Sequence, residues 1–268
     1  MTLTTPRSGL APVNGIELWY QVRGEGRPLV LLHGGFGSAE MFGPTIPALA
    51  AGRQVIAVDL QSHGRSPAPD RPMRFEAMAD DIAALIGFLG LERADVMGFS
   101  LGGAVALRTG IQHPDVVDRL VLVSTPFRRS GWHPEMEAGM RAMGPQVAEP
   151  MSQTPLGESY RAIAPRPQDW PILVEQLTTL MREDAYDWTD EAGRLQMPVM
   201  LVAGDADGLS PRHAVECFEL LGGGLRDAVW DRSGMTKHRL AILPGATHYD
   251  IGVHPLLPIV VASFLDEG

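Results

Sequence analysis

The chain is poor in cysteine and in basic clusters. It has 268 residues with one cysteine, Cys217, and its largest run of basic residues is the pair Arg128-Arg129. A single cysteine excludes an intrachain disulfide and a zinc site built from several cysteines. Acidic residues number 32 against 22 basic residues, which gives a formal net charge of −10. Because a phosphate-binding surface needs a basic patch, we expect neither nucleic acid nor membrane as a partner.

Long hydrophobic runs and targeting signals are also missing. The apolar run Leu256–Ala262 is far shorter than a membrane span and contains Pro258. Residues 1–13 lack the basic and apolar regions of a signal peptide. The 8 histidines show no metal-ligand spacing. We therefore expect a cytoplasmic protein that needs no metal or other cofactor.

Six short runs of Val, Leu and Ile are typical of strands buried on both faces of a parallel sheet. They are Leu29–Leu32, Val55–Val58, Asp95–Gly98, Leu120–Val123, Val199–Ala203 and Leu240–Leu243. Segments with helical spacing, such as Phe75–Leu89, lie between them. This alternation predicts an α/β fold with a mostly parallel sheet. The pair Asn14-Gly15, followed by alternating apolar and polar residues, predicts an antiparallel hairpin at one edge.

Residues 128–196, which we call the cap segment, interrupt this alternation. The segment has helical spacing over Pro134–Met143 and Trp170–Glu183 but no strand pattern. It is too long to be a plain loop. We interpret it as a helical insertion into a core formed by residues 1–127 and 197–268. Its methionines and tryptophans form either its own core or the roof of a site.

The most informative local pattern is Gly98-x-Ser100-x-Gly102, at the junction of a predicted strand and a predicted helix. Glycines on both sides allow a tight turn with the serine at its tip. The N–H groups at the start of the helix favour a developing negative charge nearby. The alternative interpretation is that Ser100 is an ordinary helix cap.

A serine nucleophile needs a base and an acid that orients it. Asp205 and Asp207 follow the predicted strand Val199–Ala203, and His248 follows the last predicted strand. The order serine, acid, histidine, each at the carboxyl end of a strand, is that of an α/β-hydrolase triad. Both aspartates fit this pattern. Ligands of open α/β sheets bind at this edge.

With these residues the chain resembles the α/β-hydrolase superfamily over nearly its whole length. The resemblance also includes His33-Gly34-Gly35-Phe36-Gly37 after the first parallel strand and residues 59–66 after the second. The superfamily usually has glycine where Ser62 stands, which suggests a slightly different turn there. The cap segment corresponds to the helical cap of the superfamily. The resemblance therefore implies the α/β-hydrolase fold with helices on both faces of the sheet.

The resemblance also implies roles for the candidate residues. Ser100 attacks a carbonyl carbon, and His248 accepts its proton and later donates it to the leaving group. Asp207 orients the imidazole and is preferred to Asp205, because the acid of the superfamily follows its glycine, here Gly204, by three residues.

An oxyanion hole is implied as well. One donor is the N–H of Leu101, directly after the nucleophile. The second comes from the loop 33–37, where Gly35 fits best and Phe36 is the next choice.

An apolar wall around the reacting group is predicted from residues near these positions. The substrate-binding candidates are Phe36, Phe127, Trp132, Tyr160 and Tyr249. Phe99 lies beside the nucleophile, and Met136, Met140 and Trp188 are further candidates for the roof.

Together these residues predict a serine hydrolase that cleaves small to medium carboxylic esters through an acyl-enzyme. The same triad serves lactonases, amidases, perhydrolases and carbon–carbon bond hydrolases. A different class, the non-catalytic small-molecule receptor of this fold, also remains. The expected partner is a small-molecule ester, and a homo-oligomer is possible. Residues 222–238 are either a surface excursion or an oligomer contact.

Overall fold

The computed structural model describes residues 6–267, which form one eight-stranded sheet flanked by helices. The strands are β1 (Arg7–Val13), β2 (Ile16–Arg23), β3 (Pro28–Leu32), β4 (Gln54–Val58), β5 (Ala94–Phe99), β6 (Val117–Val123), β7 (Val199–Ala206) and β8 (Arg239–Thr247). The α-helices are α1 (Thr45–Ala50), α2 (Phe75–Phe88), α3 (Leu101–Gln112), α4 (Pro134–Ala142), α5 (Ala148–Ser152), α6 (Pro155–Ile163), α7 (Trp170–Glu183), α8 (Thr189–Ala192), α9 (Pro211–Leu220) and α10 (Leu257–Leu265).

The strand order is β1-β2-β4-β3-β5-β6-β7-β8. β2 pairs antiparallel with both β1 and β4, and every pair from β4 to β8 is parallel. The predicted α/β fold is confirmed, and each of the six predicted runs lies in one of the strands β3 to β8. The hairpin at the edge is confirmed too, since Asn14 and Gly15 turn with φ values of 47° and 80°.

Helices cover both faces of the sheet because alternate residues of each inner strand point to opposite sides. In β3, Leu29 and Leu31 belong to one buried apolar cluster, which includes residues of α1 and α10. Val30 and Leu32 belong to the other, which includes residues of α2 and α3. All four side chains are 0% exposed. The strands therefore need the continuous apolar runs seen in the sequence.

The order of the inner strands creates a crevice at their carboxyl ends. The chain passes from β3 to β4 on one side and then returns to β5 on the other side of β3. The loops after β3 and β5 diverge at this point, which is where ligands bind in open α/β sheets. The N–H of Gly102 donates to the carbonyl of His33 at 3.0 Å. A Cβ on Gly102 would overlap the carbonyls of Leu32 and His33, so this close approach requires glycine.

The cap segment folds into helices α4 to α8, with no strand among its residues. Isolated bridges join Arg128 to Asp187 and Trp132 to Leu209. Within residues 6–267 no helix has the length and apolar character needed to cross a membrane.

Residues 222–238 lie between α9 and β8, at the amino end of β8 and so away from His248. The Trp230 side chain is fully exposed, and Leu225 and Val229 are exposed as well. The segment therefore lies on the surface, and its role in an oligomer stays a prediction.

Candidate active site

Ser100 lies at the tip of a strained turn between β5 and α3. Its φ and ψ are 53° and −115°, and its side chain does not cap the helix. Its N–H donates to the carbonyl of Val123 at 2.9 Å, and Thr125 Oγ1 donates to its carbonyl at 3.0 Å. A Cβ on Gly98 would overlap the Gly102 carbonyl, so the turn needs glycine there. The serine is therefore held in a conformation that side chains rarely adopt.

This strain is repeated along the same edge of the sheet. Phe36, Ser62, Ser100 and Ser124 have φ values of 59°, 64°, 53° and 51°. They follow β3, β4, β5 and β6, which are adjacent strands. We call these four positions the left-handed edge.

A chain of hydrogen bonds joins Ser100, His248 and Asp207. His248, which directly follows β8, has its Nε2 3.0 Å from Ser100 Oγ and its Nδ1 2.8 Å from Asp207 Oδ1. Asp205 is exposed and instead accepts a hydrogen bond from the Gly245 N–H at 2.8 Å. Of the two aspartates, the structure thus brings Asp207 to the histidine. The spacing matches that of a nucleophile, its base and the group that orients the base.

The Asp207 carboxylate is buried and fully hydrogen-bonded. Oδ1 also accepts from the Leu209 N–H at 3.1 Å, and Oδ2 accepts from the Gly204 N–H at 3.2 Å and from Ser124 Oγ. Burial alone raises the pKa of Asp207, but His248 and these donors together lower it below its usual value. Its ionised form stabilises the fold above the ordinary pKa of aspartate, and this contribution is lost as the pH falls. Sequence reasoning missed Ser124, because nothing local links it to Asp207.

Two of the backbone N–H groups predicted to form an oxyanion hole differ in whether they are already hydrogen-bonded. Leu101 begins α3, so its N–H has no acceptor within the helix. The Phe36 N–H donates to His63 Nε2 at 3.2 Å and is therefore occupied. Within residues 6–267 the Gly35 N–H has no acceptor, and Gly35 stays the preferred candidate for the second donor.

Buried imidazoles shape the loops around this site. His33 Nδ1 lies 2.7 Å from the Gly34 carbonyl, and its Nε2 accepts from the Leu60 N–H at 3.0 Å. Burial lowers the pKa of His33, and burial together with the nearby His33 lowers the pKa of His63 to about 3. Both rings are neutral at physiological pH, and their hydrogen bonds hold the neighbouring loops in place.

A cavity of about 50 Å³ adjoins Ser100 under the cap segment. Most of its surface is apolar. The lining residues are Phe75, Ser100, Leu101, Ala104, Arg129, Trp132, Met140, Leu180, Met181, Asp184 and Tyr186. Trp132 and Met140 were predicted to close the roof, and Trp132 also packs edge-on against His248 at 5.4 Å between ring centres.

Four predicted substrate-binding residues are not among the residues that line this cavity. Phe127 is 0% exposed within the core. Phe36 and Tyr160 are buried against Trp170, at 6.2 and 5.3 Å between ring centres. Tyr249 is 87% exposed and faces solvent.

The remaining roof candidates take different positions. Trp188 stacks on Tyr186 at 4.4 Å between ring centres, behind the cavity wall. Met136 packs beside Gly208, next to the triad acid. Phe99 lies 5.0 Å from the His248 ring. The lining residues Phe75 and Tyr186 were missed because they are distant in sequence from every motif.

A polar contact joins the cap segment to the core at the position where the superfamily usually has glycine. Ser62 is buried and donates from Oγ to Gln176 Oε1 of α7 at 2.6 Å. Gln176 Nε2 in turn donates to the carbonyls of Pro69 and Arg71 at 3.4 and 3.3 Å. The hydroxyl thus anchors the helix that carries Leu180 and Met181 over the site.

We expect Ser62→Ala to lower the free energy of unfolding by about 0.5–1.5 kcal/mol, because it removes the shorter of the two hydrogen bonds to the half-buried Gln176 Oε1, whose other donor is Gln61 Nε2 at 3.4 Å. Ser62→Gly loses the same bond but relieves the left-handed strain, so we expect it to be about 1 kcal/mol more stable than Ser62→Ala. Urea denaturation measures both values. An equal loss from Ser62→Ala in wild-type and Gln176→Leu backgrounds would show that the two residues are not coupled.

No group of three or more His, Cys, Asp or Glu residues in the part of the chain that the structure describes is arranged to hold a metal ion. The free cysteine is buried, and burial raises the pKa of the Cys217 thiol to about 12. A thiol in this state is a weak nucleophile at neutral pH.

The fold and the arrangement around Ser100 are those of an α/β hydrolase. The family model for the alpha/beta hydrolase fold matches residues 27–165, and the chain belongs to this family.

Named relatives are similar over different shares of the chain. The AB hydrolase superfamily protein YisY of Bacillus subtilis is 28% identical over 216 residues, which are 73% of this chain and 80% of YisY. The sn-1-specific diacylglycerol lipase ABHD11 of Danio rerio is 33% identical over 135 residues, but this match spans only 42% of that protein and 50% of this chain. The crystal structure of the carboxylesterase CesB from Bacillus subtilis superposes with a TM-score of 0.72 at 23% identity, covering 98% of this chain and 93% of CesB. This last likeness is one of fold.

Proposed function

We propose that this chain is a serine hydrolase that cleaves carboxylic esters with short acyl groups. The observation that carries the proposal is the continuous contact from Ser100 Oγ to His248 Nε2 and from His248 Nδ1 to Asp207 Oδ1, at 3.0 and 2.8 Å. Hydrolase relatives and the esterase-like fold support it.

In the proposed reaction, His248 removes the proton from Ser100 as Oγ attacks the ester carbonyl carbon. The carbonyl oxygen becomes an oxyanion that accepts from the N–H groups of Leu101 and Gly35. The tetrahedral intermediate expels the alcohol, which receives the proton from His248. Water, deprotonated by His248, then attacks the acyl-enzyme and releases the acid, and the proton returns to Ser100. Asp207 holds Nδ1 protonated and stabilises the imidazolium.

The cap segment supports a preference for short acyl groups. We assign residues 128–196 the role of a cap over a core formed by residues 1–127 and 197–268. Met140, Leu180 and Met181 of the cap line the cavity. The 50 Å³ available is space for roughly four water-sized groups.

We therefore expect kcat/KM for p-nitrophenyl esters to be highest for acetate or propionate and about tenfold or more lower by decanoate, because each carbon beyond the cavity must displace packed side chains. Initial rates across the series measure this profile. Leu180→Ala should move the optimum to longer chains. The matched control Ile172→Ala, on the exposed face of the same helix, should leave the optimum in place.

The series also tests the reaction class. Repeated turnover with a short-chain optimum supports the proposal. Failure on every ester, with rapid hydrolysis of lactones or amides, would move the assignment to another reaction of this triad. A single turnover with a ligand-dependent rise in Tm would identify a receptor instead.

A further inference from the structure

Arg129 is a buried charged side chain in the cavity lining that the proposed mechanism does not use. The residue is 8% exposed. Its Nε donates to Glu137 Oε1 at 3.0 Å, and its Nη1 donates to the Asp184 carbonyl at 2.7 Å. Its neighbour Arg128 is partly exposed and pairs with Glu216 at 2.9 Å. The two arginines of the sequence pair therefore have different environments.

The third guanidinium nitrogen of Arg129, Nη2, has no hydrogen-bond acceptor in the part of the chain that the structure describes. This nitrogen is also buried. A buried donor of a charged group is costly when unpaired, so such groups are nearly always satisfied. The remaining wall is mainly apolar, with Phe75, Ala104 and Leu180 among its members. Arg129 lines this cavity, so an acceptor on a bound substrate can pair with Nη2 once the guanidinium turns toward it.

The charges around Arg129 indicate what kind of acceptor fits. The Glu137 carboxylate already balances the guanidinium, and Arg141 contacts the same carboxylate. The Asp184 carboxyl also lines the cavity, and burial and the nearby Glu76 raise its pKa. With two guanidinium groups and two carboxyl groups at hand, the cavity offers no net positive charge to an anion. An uncharged oxygen satisfies Nη2 without adding to the negative charge.

We propose that Arg129 Nη2 donates a hydrogen bond to an uncharged oxygen, such as an ether, hydroxyl or ketone, on the acyl chain of the substrate. Arg129 is then a specificity-determining residue that favours short oxygen-substituted acyl groups over hydrocarbon chains of the same shape. This inference rests on the proposed ester hydrolysis at Ser100.

The test compares esters that differ by one ether oxygen in place of a methylene. The pairs are p-nitrophenyl methoxyacetate with butyrate, and 3-methoxypropionate with pentanoate, which place the oxygen at two depths. The ether also activates the carbonyl, so each ratio of kcat/KM is divided by the ratio of the rates with hydroxide. After this division, we expect the wild-type kcat/KM for the ether ester to exceed that for the hydrocarbon ester by about tenfold to a hundredfold in at least one pair, as for a hydrogen bond to a charged donor. We call this factor the excess.

Two variants assign this excess to a side chain. Arg129→Met keeps an extended side chain but has no donor, so the excess should fall to near one. Arg128→Met alters the neighbouring arginine, which pairs with Glu216, and should keep the excess. Should Arg129→Met fail to fold, the wild-type ratios still decide whether the preference exists.

Three outcomes would overturn the inference. They are no excess in the wild-type protein, an excess that survives in Arg129→Met, or a stronger Arg129-dependent preference for a hemisuccinate ester, which would mark a carboxylate site. Failure of the proposed function is distinct, since Ser100→Ala would then hydrolyse all the esters at the wild-type rate.

Discussion

Replacing Ser100 by alanine is expected to lower kcat for p-nitrophenyl acetate by roughly 10⁴- to 10⁶-fold. The substitution removes the only atom that forms the acyl-enzyme in the proposed reaction, while His248 and the oxyanion donors stay in place. The alanine side chain fits the same turn, so Tm should change little. Initial rates over several turnovers, with active-site labelling by a sulfonyl fluoride, measure the loss and its site.

The loss should also be non-additive. Because Ser100 and His248 act as one unit, Ser100→Ala and the double variant Ser100→Ala/His248→Ala should have nearly the same residual rate. The buried free thiol provides a matched control, since Cys217→Ala should keep the activity. A Ser100→Ala protein that turns over at the wild-type rate would contradict the mechanism.

The second large effect is expected from Asp207→Asn, which should lower kcat by about 10⁴-fold. The asparagine amide donates to His248 Nδ1 and so favours the tautomer with a proton on Nε2. That nitrogen can no longer accept the proton of Ser100. The shape of the site is kept, so kcat should fall much more than KM rises. Steady-state kinetics on the same ester separate the two constants.

Asp205→Asn is the matched control for this prediction. Asp205 has the same side chain two residues earlier, but it is exposed and accepts a hydrogen bond from the Gly245 N–H instead of contacting His248. We expect its kcat to stay within about twofold of wild type, as for most surface substitutions. If Asp205→Asn lost activity and Asp207→Asn kept it, the acid would be misassigned.

The sequence was sufficient to predict the parallel strands of the sheet and the functional groups at their carboxyl ends. Buried parallel strands need unbroken apolar runs, so β3 to β8 are visible as runs such as Leu29–Leu32. The tight turn at Ser100 needs Gly98 and Gly102, which makes the nucleophile visible as well. Parallel strands bring their carboxyl ends to one edge, which places His248 near Ser100 without knowledge of any contact.

The cavity wall was not predictable in the same way. Its position depends on how the cap segment crosses the core, and no local pattern encodes that contact. Tyr160 and Tyr186 are both aromatic residues of the cap segment, yet one is buried against Trp170 and the other lines the cavity. The empty acceptor position of Arg129 Nη2 is likewise visible only in three dimensions.

The left-handed edge has a consequence for engineering this protein. Positive φ at a residue other than glycine costs about 1–3 kcal/mol, and Phe36, Ser62, Ser100 and Ser124 carry that cost on four adjacent strand ends. Glycine at these positions would relieve the cost, but it would remove the nucleophile at Ser100 and the hydroxyl donors to Asp207 and Gln176 at Ser124 and Ser62. At Ser62 the lost hydrogen bond to Gln176 offsets this relief, so glycine gains no net stability there. A selection for heat resistance alone would therefore tend to replace Ser100, where glycine removes the nucleophile. A thermostable variant with full turnover should instead gain its stability on the opposite edge of the sheet.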